Sequence, residues 1–133
     1  MVTALLINSA NRTVSPILLS DNADVHSHLA DIYRFLGNEC DYFEIPVHLR
    51  NGDFLAVDEN GLSHPFSGGF VFSNGVVAHT IVGNGIILGT TEDSGETADA
   101  KSSPEEVLYC IKWLSQEEAQ THINKVFSFT LNK

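Results

Sequence analysis

Positive charge is scarce in this sequence, which has 7 Lys and Arg against 17 Asp and Glu in 133 residues and a formal net charge of −10. A surface this acidic repels phosphate, so we expect no direct binding to DNA or RNA. Apolar runs of about 18 residues, which a membrane span requires, are also missing. The first eight residues lack the basic segment of a signal peptide, so the sequence predicts a cytoplasmic protein.

Cysteine is almost absent, since Cys40 and Cys110 are the two examples in the chain. They lie 70 residues apart and form no C-x-x-C motif. Without a secretion signal, two such cysteines are more often buried thiols than a disulfide. We expect free thiols, with a redox pair as the less favoured alternative.

Hydrophobic residues are plentiful, at 43 % of the chain, which argues against disorder. No internal repeat and no long linker divides the sequence. A single domain covering residues 1–133 is therefore expected.

The N-terminal part predicts a β-hairpin followed by a helix. Apolar runs at residues 3–8 and 13–19 flank turn residues, and Pro16 places the second strand at an edge or a bulge because proline cannot donate to a ladder. Apolar residues then recur at helical spacing over residues 25–36, and Gly37 follows as a typical end signal. We expect this helix to pack on the sheet.

The middle of the chain predicts further antiparallel strands. Asn51-Gly52 separates apolar runs at residues 42–49 and 54–57, and this pair is typical of a type I′ turn, in which both central residues have positive φ. A meander is expected next, with strands at residues 70–72, 76–82 and 86–90. Residues 76–82 are alternatively a buried helical turn.

Two capping boxes near the C-terminus, at residues 103–106 and 115–118, predict two helices. The first helix would carry Val107, Cys110, Ile111 and Leu114 on one face. Residues 126–131 alternate apolar and polar side chains, which predicts a final strand. The fold class is therefore α+β: a mostly antiparallel twisted sheet with an N-terminal hairpin, one packed helix and two C-terminal helices.

Recognisable catalytic patterns are missing. Gly83-Asn84-Gly85 is similar to a phosphate-binding loop, but a strand follows it instead of the helix N-terminus that would bind the phosphate, so a hairpin turn is the better interpretation. The motifs of P-loop enzymes, serine hydrolases and zinc proteases do not occur. We expect a protein that is not an enzyme and has no catalytic residue, no cofactor and no metal site.

Polar residues around the glycine-rich stretch suggest an alternative function. Residues 68–89 would form the wall of a pocket for a small, nucleotide-like ligand. The polar anchors of that pocket would be His64, His79 and Asn84. For His79, which lies in an apolar run, a hydrogen-bonded place in the core is the more common outcome.

The acidic residues are unevenly distributed, because residues 35–100 contain ten of them and Arg50 as the single base. Solubility is the simpler explanation. The functional explanation is an acidic surface that attracts a partner protein with a basic surface, since such a field speeds association. The candidate interface residues are Asp58, Glu59, Glu92, Asp93, Glu96 and Asp99.

Several turn and strand segments occur in a familiar order. They are TALLI at residues 3–7, RTV at 12–14, NGD at 51–53, VDENGL at 57–62 and IVGNGIILG at 81–89. Over residues 3–99 the chain resembles a family of short proteins of unknown function that phages and plasmids carry, number 3846 in the unknown-function series. The resemblance implies an accessory protein of a mobile genetic element, some of which counter host defences, and it assigns no site residue.

Three hypotheses follow. The leading one is a non-enzymatic accessory protein of a mobile element that binds a host or phage protein, such as a nucleic-acid-binding or defence protein, through its acidic surface. The second is the small-ligand binder described above. The third is a structural homodimer in which an exposed final strand with Phe127 and Phe129 pairs with its copy.

Overall fold

The computed structural model describes residues 1–37 and 39–131, with side chains as far as residue 128. Within this part of the chain, nine strands and three helices follow one another: β1 Val2–Asn8, β2 Thr13–Leu19, α1 Val25–Leu36, β3 Phe43–His48, β4 Phe54–Asp58, β5 Gly69–Ser73, β6 Ala78–Val82, β7 Gly85–Thr90, β8 Thr97–Ala98, α2 Pro104–Tyr109, β9 Ile111–Leu114 and α3 Gln116–Leu131.

The strands form two antiparallel sheets, and the α+β class is confirmed. Sheet A has the order β2-β1-β7-β4-β3, and the short β8 pairs with the end of β7. Sheet B has the order β6-β5-β9. Sequence patterns predicted β1 to β7, but they predicted neither β8 and β9 nor the division of the strands between two sheets.

Sheet A is the middle layer, because its central strands β4 and β7 are buried on both faces. On one face, Ile86 and Leu88 pack with Ile32 and Leu36 of α1. On the other face, Ile87 packs with Phe70 of sheet B. This double burial explains why both strands read as continuous apolar runs.

The N-terminal hairpin and the first helix are confirmed. β1 and β2 pair from Val2–Leu19 to Asn8–Thr13, and Pro16 lies on β2, the outer strand of sheet A, where a residue without an N–H donor is tolerated. Helix α1 begins after Asp24, whose side chain accepts a hydrogen bond from the backbone N–H of Ser27.

The hairpin of β3 and β4 is confirmed, but the type I′ turn is wrong. Gly52 has a φ of 94°, while Asn51 does not have positive φ. Instead, the Asn51 side chain accepts a hydrogen bond from the backbone N–H of Asp53, and Gly52 N–H donates to the carbonyl of Leu49. The hydrogen bond of the Asn51 side chain therefore stabilises this turn without the positive φ that a type I′ turn requires at Asn51.

The expected meander is half right. β5 and β6 form a hairpin in sheet B. Gly83-Asn84 then leads the chain into sheet A, where β7 is a central strand. The hairpin turn predicted at Gly83-Asn84-Gly85 is therefore wrong. A Cβ at Gly85 would lie 2.8 Å from Leu55 and 2.9 Å from Phe70, so glycine lets the layers approach at this crossing. The helical alternative for residues 76–82 is also wrong, because β6 begins at Ala78.

The C-terminal region has both predicted helices but not the predicted strand. Helix α2 ends at Tyr109, and Ile111–Leu114 forms β9 beside β5, where Trp113 packs edge-to-face on Phe70. Helix α3 continues to Leu131, so the dimer hypothesis loses its exposed strand. Phe127 is 48 % exposed on this helix, and the side chain of Phe129 lies outside the described residues. No helix in the described chain is long and apolar enough to cross a membrane.

Candidate functional site

A cleft lies where the chain crosses between the two sheets. The ends of β1, α1 and β4 meet the loop after β4 and the Gly83-Asn84 crossing, and they enclose about 420 Å³. The cleft is named here the acidic cleft and is defined by Phe35, Glu39, Asp58, His64, Phe66 and Asn84. Two of the three predicted ligand anchors, His64 and Asn84, are therefore brought together.

Asp58 and His64 form a hydrogen-bonded pair in this cleft. The distance from His64 Nδ1 to Asp58 Oδ2 is 2.5 Å, and Asp58 Oδ1 accepts a hydrogen bond of 2.9 Å from the backbone N–H of Asn60. Nδ1 carries a ring proton when it donates to the Asp58 carboxylate. The other ring nitrogen, Nε2, has no hydrogen-bond partner among the described residues.

The hydrogen bond to Asp58 raises the pKa of His64, and the negative charges of Asp58, Glu39 and Asp41 raise it further against the opposing effect of desolvation. The His64 side chain is 21 % exposed and that of Asp58 is 9 % exposed. The cleft therefore holds a partly exposed imidazole whose protonated form is favoured by its neighbours.

Asn84 contributes to the cleft by holding its walls together. Its Oδ1 accepts a hydrogen bond of 3.0 Å from Ser9 N–H, and its Nδ2 donates to the carbonyl of Phe35 at 3.2 Å. Ser9 also donates its hydroxyl to the carbonyl of Gly83. These bonds join the β1–β2 turn, the end of α1 and the crossing, so the Asn84 amide serves the architecture of the cleft.

His79 does not belong to this site. It lies in β6 opposite Phe72 and is half-buried, and it does not line the acidic cleft. The ligand hypothesis therefore keeps His64 and Asn84 as cleft residues and loses His79.

The six predicted interface residues lie in two separate places. Asp58 and Glu59 follow Val57, which pairs with Gly85 at the start of β7. Glu92, Asp93 and Glu96 lie in the loop after the other end of β7, and the six residues of that strand span about 17 Å. The Asp99 carboxylate accepts a hydrogen bond of 2.8 Å from Thr3 N–H and so holds the start of β1.

Further carboxylates join Asp58 and Glu59. Glu44 lies opposite Val57 across the β3–β4 ladder, and Glu39 and Asp41 are the charges that act on His64. The acidic surface is defined by Glu39, Asp41, Glu44, Asp58 and Glu59, of which all but Asp58 are exposed. Sequence reasoning missed Glu39, Asp41 and Glu44, although the register of the predicted Asn51-Gly52 hairpin would have placed Glu44 near Asp58.

Arg34 is the one Lys or Arg among the described residues that line the acidic cleft. Its guanidinium lies 3.3 Å from the Asp31 carboxylate and 5.0 Å from the centre of the Phe35 ring. Arg34 is therefore held against its own helix and does not pair with the acidic surface.

The two cysteines are free thiols, as expected. Burial, reinforced by the charge of Asp58, raises the pKa of Cys40 to about 12, so its thiol stays protonated and unreactive. In the described part of the chain, no three His, Cys, Asp or Glu side chains converge in a way that could hold a metal ion.

No family model matches this chain, and no curated protein or solved structure matches it at a significant level.

Proposed function

We propose that this protein is a binding protein without enzymatic activity that recognises a partner with a basic surface through the acidic surface. The observation that carries the proposal is the gathering of five carboxylates at one end of the β3–β4 hairpin, from segments up to twenty residues apart. Four of the five are exposed, and Arg34 beside them is already held by Asp31. A field of one sign on a fixed scaffold favours fast, specific association.

The biological setting is part of the same proposal and rests on the family resemblance. An accessory protein of a mobile genetic element that counters a host nucleic-acid-binding or defence protein would meet a partner whose own binding site is basic. An acidic surface would compete with the nucleic acid for that site.

The test compares two matched triple reversals, each of which changes the net charge by +6. Glu39, Glu44 and Glu59 become Lys in the first variant, and Glu92, Asp93 and Glu96 become Lys in the second. Partners captured from the host lysate are identified by mass spectrometry, and their affinity is measured at several salt concentrations. We expect the first variant to bind at least about tenfold more weakly with a smaller salt dependence, and the second to bind like the wild type.

The opposite pattern would place the interface on the loop after β7. Equal binding by all three proteins, with equal salt dependence, would contradict recognition through acidic residues altogether.

A second candidate function is the binding of a small, nucleotide-like ligand. The observation that favours it is the 420 Å³ volume of the acidic cleft, which lies in the size range of ligand pockets. The cleft also contains Nε2 of His64, which has no partner in the described part of the chain. Thermal-shift measurements with nucleotides and nucleosides test it. A shift for the wild type that His64→Ala abolishes is expected, and no shift with any of them would reject this candidate.

A further inference from the structure

A second groove lies at the opposite end of the β3–β4 hairpin and differs from the acidic cleft in chemistry. It encloses about 490 Å³ between the end of β3, the β5–β6 turn and the end of α2. The groove is named here the Arg50 groove and is defined by Leu49, Arg50, Asn74, Val76, Tyr109 and Cys110. None of the described residues that line it is Asp or Glu, although the chain has 17 of these residues.

Two large apolar side chains of this groove are almost completely exposed. Tyr109 is 94 % exposed and Val76 is 85 % exposed. Exposed apolar groups that cluster around one concave site, rather than lying singly, are typical of surfaces that bind another molecule.

Hydrogen bonds to the backbone fix the two segments that carry these side chains. Asn74 Oδ1 accepts hydrogen bonds from the N–H groups of Val76 and Val77, at 3.2 and 3.1 Å, and so fixes the turn. Ser73 N–H donates to the carbonyl of Cys110 at 2.8 Å and joins that turn to the end of α2. The backbone of the two walls is therefore preorganised, which lowers the entropic cost of binding.

Arg50 adds a free positive charge. It is exposed, and its guanidinium has neither an ion pair nor a hydrogen bond among the described residues. The ammonium group of Lys101 donates a hydrogen bond of 3.1 Å to the carbonyl of Asn51, the residue that follows Arg50. An unpaired guanidinium is suited to a carboxylate, which it can bind through two parallel hydrogen bonds.

We propose that the Arg50 groove binds a short extended segment of a protein partner in which a large apolar side chain lies next to acidic residues. The apolar side chain packs between Val76 and Tyr109, and a neighbouring carboxylate pairs with Arg50. This site is independent of the acidic surface, since it selects the opposite charge.

The probe is a fluorescein-labelled octapeptide that alternates Asp and Glu with Leu and Phe. Binding is followed by fluorescence anisotropy at about 0.15 M salt, where repulsion by the net charge of −10 is largely screened beyond about 8 Å. Two control peptides have Lys in place of the acidic residues or Ser in place of the apolar ones. We expect the acidic apolar peptide to bind and both controls to bind at least about tenfold more weakly. Failure of the acidic apolar peptide to bind, or equal binding of the three peptides, would overturn the proposal.

Three variants locate the binding. Arg50→Glu and Tyr109→Ala should each weaken it about tenfold, and Lys125→Glu, an equal charge change on exposed α3, should leave it unchanged. Circular dichroism melts confirm that each variant is folded. Loss of binding in Lys125→Glu but not in Arg50→Glu would overturn the proposal. A wild-type dimer in light scattering that Tyr109→Ala disrupts would assign the groove to a second copy of the chain and would also overturn it.

Discussion

The two ends of the β3–β4 hairpin use the same residue type in opposite ways. At the end that carries Arg50, Asp53 is completely buried and accepts hydrogen bonds from the N–H groups of Lys101 and Ser102 and from the Ser102 hydroxyl. At the other end, Asp58 is partly exposed and pairs with His64. Asp53 holds the backbone of residues 101–102, whereas Asp58 binds the Asn60 N–H with one oxygen and the imidazole of the acidic cleft with the other. Two aspartates five residues apart therefore serve structure and site to different extents.

The largest effect should come from removing these two carboxylates one at a time. Asp53→Ala should lower the free energy of unfolding by about 3 kcal/mol, because three donors on Lys101 and Ser102 lose their buried, charged acceptor. Asp58→Ala should lower it by about 1 kcal/mol, since water can replace part of its bonding. Urea denaturation measures both, and similar losses in the two variants would refute the contrast between a structural and a functional aspartate.

Asp53→Ala also bears on the Arg50 groove. Asp53 joins the turn that carries Arg50 to residues 101–102, just before α2. If the variant remains folded at low temperature, peptide binding at that groove should weaken while the acidic surface keeps its partner. Loss of both activities together in a folded protein would show that the two ends are not independent.

A smaller effect should appear in the pH dependence of the cleft end. Because the folded pKa of His64 is raised above 6.5, the stabilisation from its charged pair with Asp58 is fully present well below pH 6.5 and is lost as the pH rises through the raised pKa. His64→Gln should therefore cost more stability near pH 6 than near pH 8.5.

NMR titration of the His64 ring checks the cause. The midpoint should lie above 6.5 in the wild type and fall in Asp58→Asn, where the neutral amide no longer favours the imidazolium. An unchanged midpoint in that variant would show that Asp58 is not responsible.

Local patterns predicted those elements whose signals are local. The capping boxes at Ser103 and Ser115 start α2 and α3, and Pro16 lies on an edge strand. Errors arose where distant pairing decided the structure. Residues 107–114 have helical spacing, yet β9 pairs with β5 some forty residues earlier.

The final helix shows the complementary error. Phe127, Phe129 and Leu131 alternate with polar residues as a strand would, but the helix begun at Ser115 packs Ala119 and Ile123 against Val82 and continues through them. Alternation over six residues is too short a signal to outweigh a capped helix that already has a packed face.

The sequence predicted the candidate site only in part, again because segments distant in the chain come together to form it. His64 and Asn84 were singled out individually, but the cleft that joins them depends on β7 leaving sheet B. No sequence motif indicated the Arg50 groove. Val76 and Tyr109 are residue types that often lie in a core, and their exposure is seen only in the structure.

The central position of β7 has a consequence for how the chain folds during synthesis. Leu5 pairs with Ile87, so the β1–β2 and β3–β4 hairpins emerge from the ribosome long before the strand that joins them. Until then each hairpin has an unpaired inner edge, which can pair with a strand of another chain. Such long-range pairing also makes folding slow, on the order of milliseconds to seconds. Residues 85–90 thus complete the sheet, and a chain truncated before them exposes two unpaired strand edges that can pair with other chains.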